Sequence, residues 1–142
     1  MKPHQVVLDT NVLVAPARSQ RGASYALLRT LPQRKWQLNL SPALMLEYES
    51  KLKIEAVRQN RPSAAVDRFL DFLATISNRR QVYFLLRPFS RDPGDDFIIE
   101  LAVASRAPFI VTHNVRDFAG SAEYGIRVVS PHEMLLILRN ES

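Results

Sequence analysis

The sequence predicts an α/β domain: a parallel sheet with helices on both faces. Three observations predict it. Short apolar runs of strand length alternate with segments of helical periodicity along the 142 residues. Helix-start signals recur, clearest in the pairs Ser41-Pro42 and Ser130-Pro131. No internal repeat, low-complexity segment or long linker divides the chain, so a single domain over residues 1–142 is expected.

Gln5–Leu8 is an apolar strand, and Asp9-Thr10-Asn11 follows it directly into a loop that carries Arg18 and Arg21. Ser24–Leu31 reads as a helix with Ser24 as its N-cap. Trp36–Leu40 is a short strand. Ser41 then caps a second helix, with Pro42 at the first helical position, where its missing N–H costs nothing. Leu44, Leu46, Tyr48 and Leu52 suit a largely buried helix. Ser63 opens a third helix through Ile76, in which Val66, Phe69, Leu70 and Leu73 form one apolar stripe. Val82–Leu86 reads as a buried strand flanked by arginines, and Arg91-Asp92-Pro93-Gly94 as a loop. Asp95–Arg106 is a helix with acids in its first turn and an arginine in its last, as the helix dipole favours. Pro108–Val111 and Arg127–Val129 are strands, and Pro131–Leu138 is the closing helix.

Composition excludes several chemistries. There are no cysteines, which removes disulfides, thiol nucleophiles and cysteine zinc sites. His4, His113 and His132 lie far apart and lack helical ligand spacing, which argues against a histidine zinc site. No apolar run is long enough to span a membrane, and Val6-Val7-Leu8 is too short for an export-signal core. The expectation is a cytoplasmic protein with no membrane partner. The formal net charge of +5 favours polyanionic partners. Between Lys51 and Arg91, nine basic residues face only Glu55, Asp67 and Asp71, so the surplus is concentrated there. That face is either a solvated helical surface or a binding surface.

In parallel sheets ligands bind outside the carboxyl ends of the strands. Asp9 follows the first strand. Thr112, Asn114 and Asp117 follow the Pro108–Val111 strand. Asp95 and Asp96 open a helix, and Glu47 lies in the helix begun by Pro42. Taken singly, each acid has an ordinary use as turn former, cap or solvated helical residue. Taken together, they predict a concentrated negative site in a basic protein. Clustered carboxylates repel unless a cation neutralises them. An all-oxygen donor set selects a hard ion such as Mg²⁺ or Mn²⁺, which can activate a phosphodiester and an attacking water.

These blocks resemble the PIN-domain family. Val6 to Val14, containing Asp9-Thr10-Asn11, looks like the family's first strand and signature. Ser41 to Tyr48 looks like the helix with its glutamate, Asp92-Pro93-Gly94-Asp95-Asp96 like its third acidic motif, and Ile110 to Phe118 like its fourth. The Asp-Pro-Gly-Asp-Asp loop is similar to that of the VapC-like toxin components of toxin–antitoxin systems. The resemblance implies a three-layer α/β/α domain and Mg²⁺- or Mn²⁺-dependent endoribonuclease activity. It implies catalytic roles for Asp9, Glu47, Asp95, Asp96, Thr112, Asn114 and Asp117. Carried over by position, Asp9, Glu47 and Asp95, or its neighbour Asp96, match the metal-binding acids, and Asp117 would be a further metal ligand supplying the charge that Asn114 lacks. Asn114 stands where many members have aspartate. The implied partners are RNA, a cognate antitoxin and a second copy of the chain. Arg18, Arg21, Arg58, Arg61, Arg68, Arg79 and Arg80 are candidates for RNA phosphate contacts, since a guanidinium can donate two hydrogen bonds to a phosphate.

Two other readings compete. A catalytically inactive domain of this fold could bind RNA or protein only. A phosphatase or phosphoreceiver also places an aspartate after its first strand, but needs a later lysine near the phosphate. This chain has no lysine after Lys53.

Overall fold

The computed structural model describes residues 2–18, 22–32, 34–80, 82 and 93–140, with the side chains of residues 17, 18, 93–96 and 119 outside that description. Strand β1 (His4–Leu8) leads into helices α1 (Thr10–Arg18) and α2 (Ala23–Arg29), then β2 (Trp36–Leu40). Helices α3 (Pro42–Arg58) and α4 (Ser63–Ile76) follow, then the two-residue β3 (Asn78–Arg79) and helix α5 (Pro93–Ser105). Strand β4 (Phe109–Val111), a 3₁₀ segment (Val115–Tyr124), β5 (Arg127–Val129) and α6 (Pro131–Asn140) complete the order. Every strand pair is parallel, and the sheet order is β3-β2-β1-β4-β5. Helices cover both faces, giving the three-layer α/β/α arrangement expected from the alternation of elements.

The central strand β1 is buried at Val6, Val7 and Leu8, as a strand covered on both faces must be. Polar side chains are spent on holding its register. Asn39 of β2 and Asn78 of β3 both donate their Nδ2 to Oε1 of Gln5, each at 3.0 Å. These bonds tie three neighbouring strands together through side chains, and a slip of one residue would move each group to the opposite face. The two Ser-Pro signals behave as their chemistry requires. Ser41 accepts a hydrogen bond from the Leu44 N–H at 3.2 Å. Ser130 and Glu133 form a reciprocal capping box, with bonds of 3.2 and 3.1 Å.

Several expectations are corrected. The stretch after Asp9 is helix α1, not loop, so Arg18 closes a helix. Ser24 is not the cap of α2: Gly22 takes that position and Ser24 lies inside the helix. Leu46 is 66% exposed, because α3 turns Leu44, Tyr48, Leu52 and Ala56 inward instead. Pro93 and Gly94 belong to the start of α5 and not to a loop. The helix ends at Ser105, with Arg106 in the left-handed conformation usual just past a helix terminus. The Val82–Leu86 strand lies outside the described residues except for Val82, which is partly buried against the core. Among the described residues no helix is long and apolar enough to cross a membrane.

Candidate functional site

The sheet order marks where a site should form. The chain leaves β1 for β2 and β3 on one side, then returns to place β4 and β5 on the other. The crevice at such a reversal lies between the carboxyl ends of β1 and β4. In the β1–β4 register Leu8 faces Val111, so the next residues, Asp9 and Thr112, emerge side by side at that edge.

Their backbones continue the ladder: the Asp9 N–H donates to the Val111 carbonyl and the Thr112 N–H to the Val129 carbonyl, each at 2.9 Å. The Thr112 hydroxyl donates to Asp9 Oδ2 at 2.7 Å, and both residues are buried. The hydroxyl also accepts from the Asn114 N–H at 3.0 Å and, at 3.5 Å, from Asn11 Nδ2. A hydroxyl has one proton to give, and here it goes to Asp9, an arrangement that suits an ionised carboxylate. Asn11 in turn accepts from the His113 N–H at 3.3 Å, and His113 Nε2 meets the Ser24 hydroxyl at 2.7 Å. A line of hydrogen bonds therefore runs from α2 through the end of β4 to Asp9.

Helix α3 closes the other side of β1. The fully buried Tyr48 hydroxyl donates to the Leu8 carbonyl, one residue before Asp9. Burial raises its pKa well above the ordinary tyrosine value, and the negative charges of Asp9 and Glu47 raise it further. That hydroxyl stays protonated at neutral pH. Glu47 is half-buried, with Oε2 shut off from solvent.

Helix α5 runs into β4, so its first turn, which contains Asp95 and Asp96, lies at the carboxyl edge of the sheet; it packs across β1, β2 and β4. The orientations of those two carboxylates lie outside the described residues. Asn114 and Asp117 are exposed at the start of the 3₁₀ segment, where the Asp117 N–H donates to the Asn114 carbonyl at 3.0 Å. Among the described residues no three acidic or histidine side chains form a group able to hold a metal, so Asp9, Glu47 and Asp117 do not make a site by themselves.

The candidate arginines separate into two places. Arg79 and Arg80 are exposed at the carboxyl end of β3, on the same sheet edge as Asp9. Arg58 and Arg61 lie at the turn between α3 and α4, about 25 Å of helix from the capped end of α3. Arg68 is exposed on α4, and Arg21 and the Arg18 side chain lie outside the described residues. Sequence reasoning missed the supporting residues Ser24, His113 and Tyr48. The Asp9-Thr10-Asn11 motif already contained Asn11, but its partners lie about a hundred residues away.

A family model described as a PIN domain matches residues 5–116. No curated protein matches the chain in sequence. Among solved structures the fold is similar to VapBC2 from Rickettsia felis bound to a DNA fragment from their promoter, with TM-score 0.61 and 15% identity over 89% of this chain and 98% of that one. It is also similar to VapBC-1 from nontypeable Haemophilus influenzae, with TM-score 0.62 and 15% identity over 90% of this chain and 98% of that one. At this identity the likeness is one of fold.

Proposed function

The chain belongs to the PIN-domain family, and from that premise we propose that it is a divalent-metal-dependent endoribonuclease, the toxin of a type II toxin–antitoxin pair acting in the cytoplasm. The observation that carries the reading is the 2.7 Å bond from Thr112 to Asp9 at the β1–β4 reversal. A buried carboxylate oriented by a buried hydroxyl is costly to maintain as mere structure and suits a metal ligand held in place. The fold likeness to two VapBC complexes supports an antitoxin as partner.

The donor chemistry fits Mg²⁺ or Mn²⁺: the groups gathered at this edge are oxygen donors, with no thiol and no imidazole pair. Asp9 with Asp95 or Asp96 would hold the ion, with Glu47 and Asp117 contributing directly or through water. When bound, the ion supplies Lewis-acid activation of the phosphodiester and of the attacking water. Thr112 holds Asp9 Oδ2 by its hydrogen bond, and Tyr48 fixes the carbonyl that precedes Asp9. Asn114 offers a neutral oxygen where a carboxylate would favour a second ion, so one tight ion is expected. Two copies of the chain would form the active unit.

The test is cleavage of a mixed-sequence RNA pool with mapped ends, with and without Mn²⁺. Metal-dependent cleavage that disappears in Asp9→Asn supports the reading. Cleavage that persists in Asp9→Asn, or without any divalent ion, removes it.

A further inference from the structure

The line of hydrogen bonds behind Asp9 ends on an exposed residue, His113, and that end is oriented. Ser24 is 1% exposed, and the one partner of its hydroxyl among the described residues is His113 Nε2, at 2.7 Å. A buried hydroxyl needs an acceptor for its proton. Nε2 is that acceptor, which leaves the imidazole proton on Nδ1. One nitrogen is thus held by α2 and the other is left as a donor. His113 itself is exposed, and Nδ1 has no protein partner among the described residues. The residue stands between Thr112 and Asn114, directly beside the carboxylate site, and its own N–H is tied to Asn11. That donor belongs to an exposed residue in the segment that leaves β4 next to Thr112 and Asp9.

We propose that His113 is a substrate-contacting residue that donates from Nδ1 to a phosphate oxygen of the bound RNA, with Ser24 setting its tautomer. This assignment builds on the ribonuclease reading.

Side-chain length separates the two nitrogens. Glutamine at position 113 reaches the Nε2 position and keeps the Ser24 contact, but places no donor where Nδ1 stands. Asparagine reaches the Nδ1 position and gives up Ser24. Phenylalanine keeps a flat ring and has no donor. The probe is a labelled mixed-sequence oligoribonucleotide pool bound to the Asp9→Asn protein in Mg²⁺. His113→Gln and His113→Phe should each weaken binding about tenfold, the size of one hydrogen bond. His113→Asn should keep most of the affinity while lowering the thermal midpoint, because Ser24 loses its partner. Retained affinity in His113→Gln with loss in His113→Asn would overturn the proposal and make the residue a structural tether. Recovery by His113→Phe would overturn it in favour of base stacking. A wild-type protein that neither cleaves nor binds the pool removes the ribonuclease reading and this contact with it. A protein that cleaves, but whose His113→Gln variant binds as tightly as the parent, removes the contact alone.

Discussion

At the seam between β1 and β4, polar groups are buried and tied to one another; on the outer side of α3 and α4, apolar groups are exposed and charges pair loosely. Asp9 and Thr112 lie at the seam within 2.7 Å and hidden from water. On the helices, Leu46 and Val57 are 66% and 80% exposed, and Lys53 bridges Glu49 and Asp67 at 3.5 and 3.2 Å in the open. The difference teaches where substitution should matter. Each buried polar group at the seam loses its water on folding and has only protein partners in exchange. Charges on the helices keep most of their water, and a lost partner is replaced by solvent.

The comparison is tested hardest at Asp9. Asp9→Asn should lose most cleavage activity while the metal-free protein folds with unchanged or higher stability, since one charge leaves a site that already holds Glu47 nearby. Thr112→Val should lower activity about 10–100-fold, the range for a group that orients a metal ligand. It should also lower stability by about 1–3 kcal/mol, because the buried Asp9 Oδ2 and the Asn114 N–H lose their shared partner. Cleavage rates and urea midpoints of the two variants read both effects. A Thr112→Val protein as active and as stable as its parent would mean that the seam is no more demanding than the helices.

Tyr48 tests the same seam without touching the acids. Tyr48→Phe removes the bond to the Leu8 carbonyl and should cost about 1–2 kcal/mol at neutral pH. Burial, then the charges of Asp9 and Glu47, hold the folded-state pKa of Tyr48 well above its ordinary value of 10.0. The unfolded chain therefore releases this proton first. The contribution of Tyr48 is present in full below that ordinary value and is lost as pH rises beyond it toward the folded pKa. The penalty of Tyr48→Phe should shrink by about 1.4 kcal/mol per pH unit over that window. Urea midpoints of both proteins across the alkaline range measure it, and a penalty constant with pH would place the hydroxyl in a solvated setting.

The parts of this architecture that were legible in the sequence are those written in local chemistry. Ser41-Pro42 and Ser130-Pro131 open helices because the cap and the proline each act within one turn. Asp9 and Thr112 were legible because each follows an apolar strand directly. Helix α1 was not, since Pro16 lies inside it and Asp9-Thr10-Asn11 reads equally well as a turn. Ser24 resembled a cap for the same local reason, but its hydroxyl is spent on His113, 89 residues away. Leu46 looked buried because its spacing from Tyr48 and Leu52 is ambiguous over a short window. Only the packing of α3 on α1 and α4 decides which face turns inward. The two-residue β3 is too short to leave any periodicity.

The arginines divide along the same line as the two regions. Arg79 and Arg80 share the sheet edge of Asp9, whereas Arg58 and Arg61 belong to the α3–α4 turn. Replacing Arg79 and Arg80 with alanine should weaken RNA binding and flatten its salt dependence by roughly 0.7 in log–log slope per lost phosphate contact. The Arg58 and Arg61 pair should change neither. Equal effects from both pairs would extend the binding surface over the helices.

The smallest effect belongs to the Lys53–Asp67 pair, and its smallness is the point. The side chains are 39% and 53% exposed and lie 3.2 Å apart. The hydrogen bond to Asp67 raises the pKa of Lys53; desolvation opposes it, and the charges of Asp67 and Glu49 add to the rise. A lysine raised in this way contributes to stability at and below its ordinary pKa, and the contribution is lost as pH climbs through the raised value. At neutral pH it is therefore fully present, yet water and salt screen it on an open surface. Lys53 also keeps Glu49 within reach at 3.5 Å when Asp67 is removed. Asp67→Asn should leave the thermal midpoint where it is at physiological ionic strength, with a small decrease emerging only at low salt. A decrease that is already large at physiological salt, and that further salt does not diminish, would mean that this pair is desolvated like the seam.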